Sequence, residues 1–207
     1  MTKENDVKKY IQFYSTDLGK KILERETRFV NEKLLGCKKV LSIGCCPAFL
    51  EAELHNLHPE MDITGLDCSK EMIEQATKEI PIIYGDAQHL KFEDSSFDAV
   101  LYVTSLEFIQ SVQKAIKEAY RVLQSKGLLL VLMLNPKSRY FQEKYNTNNS
   151  YTRKNIKNTN INKIQKIISR YFNIKNEGYF LGITKQDVVD TDDQSIASLY
   201  FLKGEKL

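Results

Sequence analysis

Between Lys39 and Leu134 the chain repeats one pattern, a short apolar run followed by a longer segment with apolar groups three and four residues apart. The short runs cover residues 39–43, 63–66, 82–84, 99–103 and 128–134, lengths that suit strands. The segments at 47–57, from Ser69 to about Lys78, and at 112–123 have helical spacing. Strands that alternate with helices pair in parallel through right-handed crossovers, with helices on both faces of the sheet. Residues 128–134 are apolar at every position, as a central strand buried on both sides requires. The pattern predicts an α/β fold.

The flanks read differently. Over residues 6–35, Val7, Tyr10, Ile11 and Tyr14, then Leu18, Ile22, Leu23, Phe29, Val30 and Leu34, keep helical spacing. Ser15, Thr16 and Asp17 interrupt them with capping residues, so two helices are expected, the second closed by Gly36. Residues 137–175 are rich in Lys, Asn and Ile, with Glu143 the sole acid. Ile161, Ile164, Ile167 and Ile168 form one helical stripe there, and strands are expected near 179–183 and 197–202. The acidic loop between those strands, Asp187, Asp190, Asp192 and Asp193, is expected to be a solvated hairpin tip.

Composition excludes several classes of function. A net charge of +3 over 207 residues gives no global case for binding nucleic acid. No apolar run approaches the ~20 residues of a membrane span, and the start, Thr2-Lys3-Glu4-Asn5-Asp6, lacks the apolar stretch of a signal peptide. Cys37, Cys45, Cys46 and Cys68 are not spaced as a disulfide framework or a metal knuckle, so reduced thiols, a cytoplasmic location and no metal are expected.

The candidate site follows from one rule: in open α/β sheets ligands bind outside the carboxyl ends of the strands. Four features fall there. Residues 40–48 run from a strand through Gly44, Cys45 and Cys46 into a helix start, where backbone N–H groups can face a ligand. Asp67 ends the second strand about twenty residues later, placed to accept hydrogen bonds from ribose hydroxyls. Cys68 and Met72 follow it. Asp86 and Ala87 follow the third strand, with Asp86 able to accept from an adenine amino group. Thr104 and Ser105 follow the fourth.

As a set these motifs resemble the class I S-adenosylmethionine (SAM)-dependent methyltransferases, in particular the ubiquinone and menaquinone biosynthesis branch. Residues 40–48 are similar to V-L-D-I-G-C-G-T-G, with Ser42 in place of the acid and Cys46 and Ala48 in place of two glycines. Residues 63–72 are similar to V-T-G-V-D-x-S-x-x-M. Residues 85–98 are similar to G-D-A-x-x-L-P-F-x-D-x-S-F-D, with Lys91 for the proline, and residues 118–127 to E-x-x-R-V-L-x-P-G-G. Tyr10, Phe13, Thr16 and Gly19 are similar to a Y-x-x-W-x-x-T-x-x-G element that precedes the first motif.

The resemblance implies a Rossmann-like, seven-stranded, mostly parallel sheet with an antiparallel C-terminal strand. It implies one methyltransferase domain over 1–207: a helical lid (1–36), a cofactor-binding core (37–136), and a tail helix with a C-terminal strand pair (137–207). It implies SAM as cofactor, held by Tyr10, Gly44, Cys45, Cys46, Asp67, Cys68, Met72, Asp86, Ala87, Thr104 and Ser105. Methyl transfer from a sulfonium needs alignment and exclusion of water more than proton transfer. No catalytic base is therefore assigned, and Tyr10, Tyr14, His89 and Glu107 are the candidates near the methyl group. The expected acceptor is a small or medium-sized molecule in a pocket to which Tyr10, Phe13, Tyr14, Phe108, Tyr140 and Phe141 contribute, in a monomer or homodimer. Two alternatives stand beside it. One is a non-catalytic SAM-binding regulatory or partner subunit, suggested by the altered first motif. The other is an RNA methyltransferase that uses the basic segment 137–175.

Overall fold

The computed structural model describes residues 4–147, 150–184 and 187–207; Thr2 and Lys3 of the N-terminal segment lie outside them. Two helices, α1 (Glu4–Ser15) and α2 (Asp17–Lys33), open the chain. Thr16 separates them as the N-cap of α2, its Oγ1 accepting from the Gly19 N–H at 3.1 Å. Gly36, at φ +87°, turns the chain after α2. Next come β1 (Lys39–Ile43), α3 (Phe49–Leu57), β2 (Asp62–Asp67), α4 (Lys70–Ile73), β3 (Ile82–Tyr84) and β4 (Phe97–Val103). Then follow α5 (Val112–Val122), β5 (Leu123–Leu134), α6 (Arg139–Asn146), α7 (Tyr151–Asn155) and α8 (Ile161–Ile168). The chain closes with β6 (Phe172–Ile183), β7 (Val188–Val189) and β8 (Ala197–Lys206).

The strands form one eight-stranded sheet in the order β3-β2-β1-β4-β5-β8-β6-β7. The first five are parallel and the last three antiparallel. This is the expected Rossmann-like architecture, with one strand more than the seven foreseen. The addition is β7, two residues paired with Gly182 and Ile183 inside the loop read as a solvated tip. Two acids of that loop stay exposed and also pair with α2: Asp187 with Lys21 at 2.8 Å and Asp190 with Arg25 at 2.7 Å. The tail also carries three helices where one was expected.

β5 shows why its run is wholly apolar. Leu129, Val131 and Met133 enter the core under α5 and α8, beside Ile116, Val122, Ile164, Ile168 and Phe172. Leu130 and Leu132 enter the opposite core, beside Val30, Leu34, Leu50 and Leu54 of α2, its C-cap and α3. Alternate side chains of one strand thus fill both layers. The helix expected to reach Lys78 stops at Ile73, because the Thr77 N–H bonds to the Pro47 carbonyl (3.3 Å) instead of continuing the helical ladder.

Two motif elements serve the frame. Arg121 donates to the carbonyls of Leu90 and Phe92 (2.8 Å each), to Asp94 (2.7 Å) and to Glu118 (2.9 Å), and Glu118 accepts from the Leu90 N–H at 2.9 Å. The pair staples the loop that enters β4. Asp98 accepts from the N–H groups of Lys38 and Lys39, both at 2.9 Å, and fixes the start of β1.

Candidate functional site

The strand order runs outward in opposite directions from β1 and β4, so a crevice opens at their carboxyl ends. Gly44 and Thr104, which follow these two strands, line a cavity there with Tyr10, Tyr14, Glu26, Ser42 and Glu51. The free volume is about 30 Å³, room for roughly one water.

The turn after β1 keeps a glycine-type backbone without its glycines. Gly44 (φ 74°), Cys46 (φ 54°) and Ala48 (φ 61°) all occupy the left-handed region. A left-handed conformation costs a side-chain-bearing residue about 1–2 kcal/mol, and the surrounding bonds hold it. The Gly44 N–H donates to the Leu66 carbonyl at 2.7 Å, and the Cys46 N–H to Asp67 Oδ2 at 2.9 Å. The helix foreseen from Pro47 starts at Phe49 because Ala48 is still in this turn. At Gly44 itself no side chain fits: a Cβ would lie 2.4 Å from that of Ser105, whose hydroxyl donates to the Ile43 carbonyl at 2.6 Å. Gly44→Ala is therefore expected to destabilise the chain by about 2–4 kcal/mol, from backbone strain and overpacking together. Denaturant unfolding measures it, and a loss below about 0.5 kcal/mol contradicts the tight approach.

Asp67 is buried at the end of β2. Its Oδ1 accepts from the Ser69 N–H at 2.8 Å while Oδ2 takes that of Cys46, so one carboxylate joins the first turn to the cap of α4. Burial raises its pKa, and the N–H groups of Ser69, Cys46 and Cys68 oppose that rise. Each oxygen retains a lone pair for a ligand hydroxyl. Cys68 is exposed beside it, and Met72 is buried in α4. Asp86 is exposed, its Oδ1 accepting from the Gln88 N–H at 2.9 Å, and Ala87 beneath it is buried.

Of the proposed cofactor residues, Tyr10, Gly44, Cys45 and Thr104 line the cavity. Cys46, Asp67, Cys68, Met72, Asp86, Ala87 and Ser105 extend from it along the ends of β1, β2, β3 and β4. Of the candidates near the methyl group, Tyr10 and Tyr14 face the cavity, their rings 4.9 Å apart. The other two do not line it. His89 is exposed, its N–H bonded to the Asp86 carbonyl. Glu107 is 1% exposed, turned inward to accept from the Leu134 N–H at 2.7 Å. Phe141 lies in the core and stacks on Tyr145, and Phe108 lies against Tyr151.

Two acids that line the cavity escaped the sequence analysis. Glu51 in α3 accepts from the Ser42 hydroxyl at 2.5 Å, and burial pushes its carboxyl up to about 7. Glu26 in α2 is 5% exposed, and burial followed by the nearby Glu51 pushes it up to about 8. Ser42 stands where an acid is usual, and Glu51 brings a carboxylate back to that position. A signal for both was present: Glu26 shares a helical stripe with Ile22 and Val30, and Glu51 one with Pro47 and Leu54.

Residues 41–131 match the family described as "Methyltransferase domain". The matched segment runs from β1 to β5 and holds Gly44, Asp67, Asp86 and Thr104. Among curated relatives it is similar to a malonyl-[acyl-carrier protein] O-methyltransferase of Legionella pneumophila, 27% identical over 66% of this chain and 52% of that protein. It is also similar to a demethylmenaquinone methyltransferase of Thermotoga maritima, 35% identical over 48% of this chain and 44% of that protein. The chain thus spans about half the length of these relatives. In fold it is similar to a crystal structure from Thermotoga maritima described as a SAM-dependent methyltransferase, possible histamine N-methyltransferase. That likeness has a TM-score of 0.80 at 21% identity, over 99% of this chain and 97% of the other. Among the described residues no helix is long and apolar enough to cross a membrane.

Proposed function

We propose that this chain transfers the methyl group of SAM to a small or medium-sized acceptor, acting as one domain whose helices α1 and α2 cover the site. The observation that carries the proposal is the convergence at the ends of β1, β2 and β4. There a left-handed turn, a buried carboxylate on β2 and a second buried carboxylate behind Ser42 meet around one crevice. The residues fit the cofactor's chemistry. Asp67 offers lone pairs to the ribose hydroxyls. Asp86, past the end of β3, accepts from the adenine amino group. Gly44 lets the turn after β1 pack directly against Ser105 at the edge of the crevice. Glu51, held by Ser42, is the acid for the methionine ammonium.

Bound SAM supplies an electrophilic methyl group on a sulfonium. The chain's own contribution is to orient that group and keep it dry. Tyr10 and Tyr14 line the cavity from α1, their rings 4.9 Å apart, and help keep water from it. Relatives named for a malonyl carrier protein and for demethylmenaquinone act on different acceptors, so resemblance alone does not choose one.

Titration calorimetry with SAM and with S-adenosylhomocysteine is the test. Saturable binding of both at one site per chain is expected, and the absence of both overturns the proposal. Glu51→Gln is expected to lower the affinity for both by about tenfold, the scale of one charge-assisted hydrogen bond. An unchanged Kd removes Glu51 from the ammonium's site.

A further inference from the structure

Glu26 is unlike the other buried carboxylates around the site. Glu51 is engaged by the Ser42 hydroxyl and Glu107 by the Leu134 N–H. The Glu26 carboxylate takes no hydrogen bond from any described residue, although it is 5% exposed and lines the cavity. Its surroundings come from four elements: Tyr10 and Tyr14 of α1, Leu23 of its own helix, Glu51 of α3 and Tyr140 of α6. Tyr10 and Tyr14 line the same cavity as Glu26, and Tyr140 is held above its ordinary range by burial and by the nearby Glu26. Among the described residues no Lys, Arg or His lines the cavity. A buried, unbonded carboxylate among aromatic rings, with no resident cation, is a receptor for an organic cation.

SAM brings a single ammonium, which Glu51 is placed to meet. A second acid at the sulfonium would stabilise the charge that methyl transfer removes, and so slow the reaction. Glu26 therefore answers to a different positive group. We infer that the acceptor is an amine, held as its ammonium by Glu26 among the rings of Tyr10, Tyr14 and Tyr140. This inference rests on the proposed methyl transfer and names its substrate class.

The proton accounting fits this role. An ammonium has no lone pair, so it must first give a proton to the Glu26 carboxylate. The freed nitrogen lone pair then forms the bond to the methyl carbon while the C–S pair leaves with sulfur. The product carries the charge as a methylated ammonium, and Glu26 returns its proton to solvent. Burial raises the Glu26 carboxyl above the ordinary glutamate range, which favours its taking that proton. Near neutral pH Glu26 is mostly protonated before the amine arrives. Binding of the ammonium ionises it, so up to one proton is released per amine bound.

The experiment uses the whole chain saturated with S-adenosylhomocysteine. It is titrated with agmatine, phenethylamine and histamine, and with phenethyl alcohol as the uncharged counterpart of phenethylamine. Heats are measured in two buffers of different ionisation enthalpy. At least one amine is expected to bind and release protons, with the alcohol at least tenfold weaker than phenethylamine. Glu26→Gln is expected to weaken the bound amine at least tenfold and abolish the proton release. That variant should hold S-adenosylhomocysteine within twofold of the parent chain, which also shows that it folds. Failure of all three amines on a loaded chain overturns the inference, as does an alcohol that binds equally or an amine indifferent to Glu26→Gln. A variant that loses S-adenosylhomocysteine instead assigns Glu26 to the cofactor and equally overturns it. If the parent chain binds no S-adenosylhomocysteine, the methyl-transfer proposal itself has failed, and that result is separate from the others.

Discussion

Replacing Asp67 by Ala is expected to weaken SAM binding by about 2–4 kcal/mol, a rise in Kd of about 30- to 1,000-fold. Two losses add. The proposed bonds to the ribose hydroxyls disappear; charge-assisted bonds run to about 1.5–3 kcal/mol each, and water entering the vacated space returns part of that. The N–H groups of Cys46 and Ser69 also lose their acceptor, so the left-handed turn after β1 is no longer tied to the cap of α4. Asp67→Asn separates the two. Its carbonyl oxygen keeps one of the internal bonds, and its neutral amide meets the hydroxyls without charge. Calorimetry on both variants is the measurement, with unfolding curves showing how far the turn is loosened. Ala and Asn variants that bind SAM as the parent does remove Asp67 from the cofactor's site.

The ease of finding Asp67 contrasts with the difficulty of finding Glu26, and the contrast is physical. Gly44, Asp67 and Thr104 were legible because strand order alone puts the carboxyl ends of β1, β2 and β4 at one edge of the sheet. A residue that follows an apolar run is then near the site whatever its side chain does. Glu26 and Glu51 lie inside amphipathic helices, where an acid ordinarily faces water; each shares the apolar stripe of its helix, and that was the one signal that they turn inward. Cys46 and Ala48 misled in another way. Their identities suggested an altered turn, while the backbone kept the positive φ that glycine usually supplies.

The fold divides along the same line. The core strands were legible from their uninterrupted apolar runs, and the C-terminal strands only as shorter pieces of β6 and β8. The early stop of α4 depends on a bond to Pro47, and β7 on a pairing with Gly182 and Ile183. Both are tertiary events that leave no periodicity in the sequence.

Glu107 carries the second large prediction, in an unusual direction: the protein gains stability as pH falls from 8 towards 5, and Glu107→Gln removes part of that gain. Glu107 is 1% exposed, and burial pushes its carboxyl from 4.5 up to about 7 against the opposing bonds from the Leu134 and Glu107 N–H groups. Its Oε2 is buried without a partner among the described residues. The unfolded chain releases this proton near pH 4.5 while the folded chain keeps it to about 7. The contribution of the neutral form is whole below 4.5 and drains away as pH rises to 7, by about 3 kcal/mol in all. Glutamine copies the neutral acid: its carbonyl oxygen accepts from Leu134, and its amide takes the unpartnered place. Parent and variant should therefore be equally stable near pH 4.5. At pH 8 the variant should be the more stable by up to about 3 kcal/mol, roughly 6–12 °C in Tm for a chain of this size. Glu26 and Glu51 push stability the same way with pH, but they do so in both proteins, so the difference between the two curves isolates Glu107. Thermal unfolding across pH 4.5–8 is the check. Parallel curves, or a variant less stable at pH 8, would mean that the carboxylate is ionised and satisfied inside the fold.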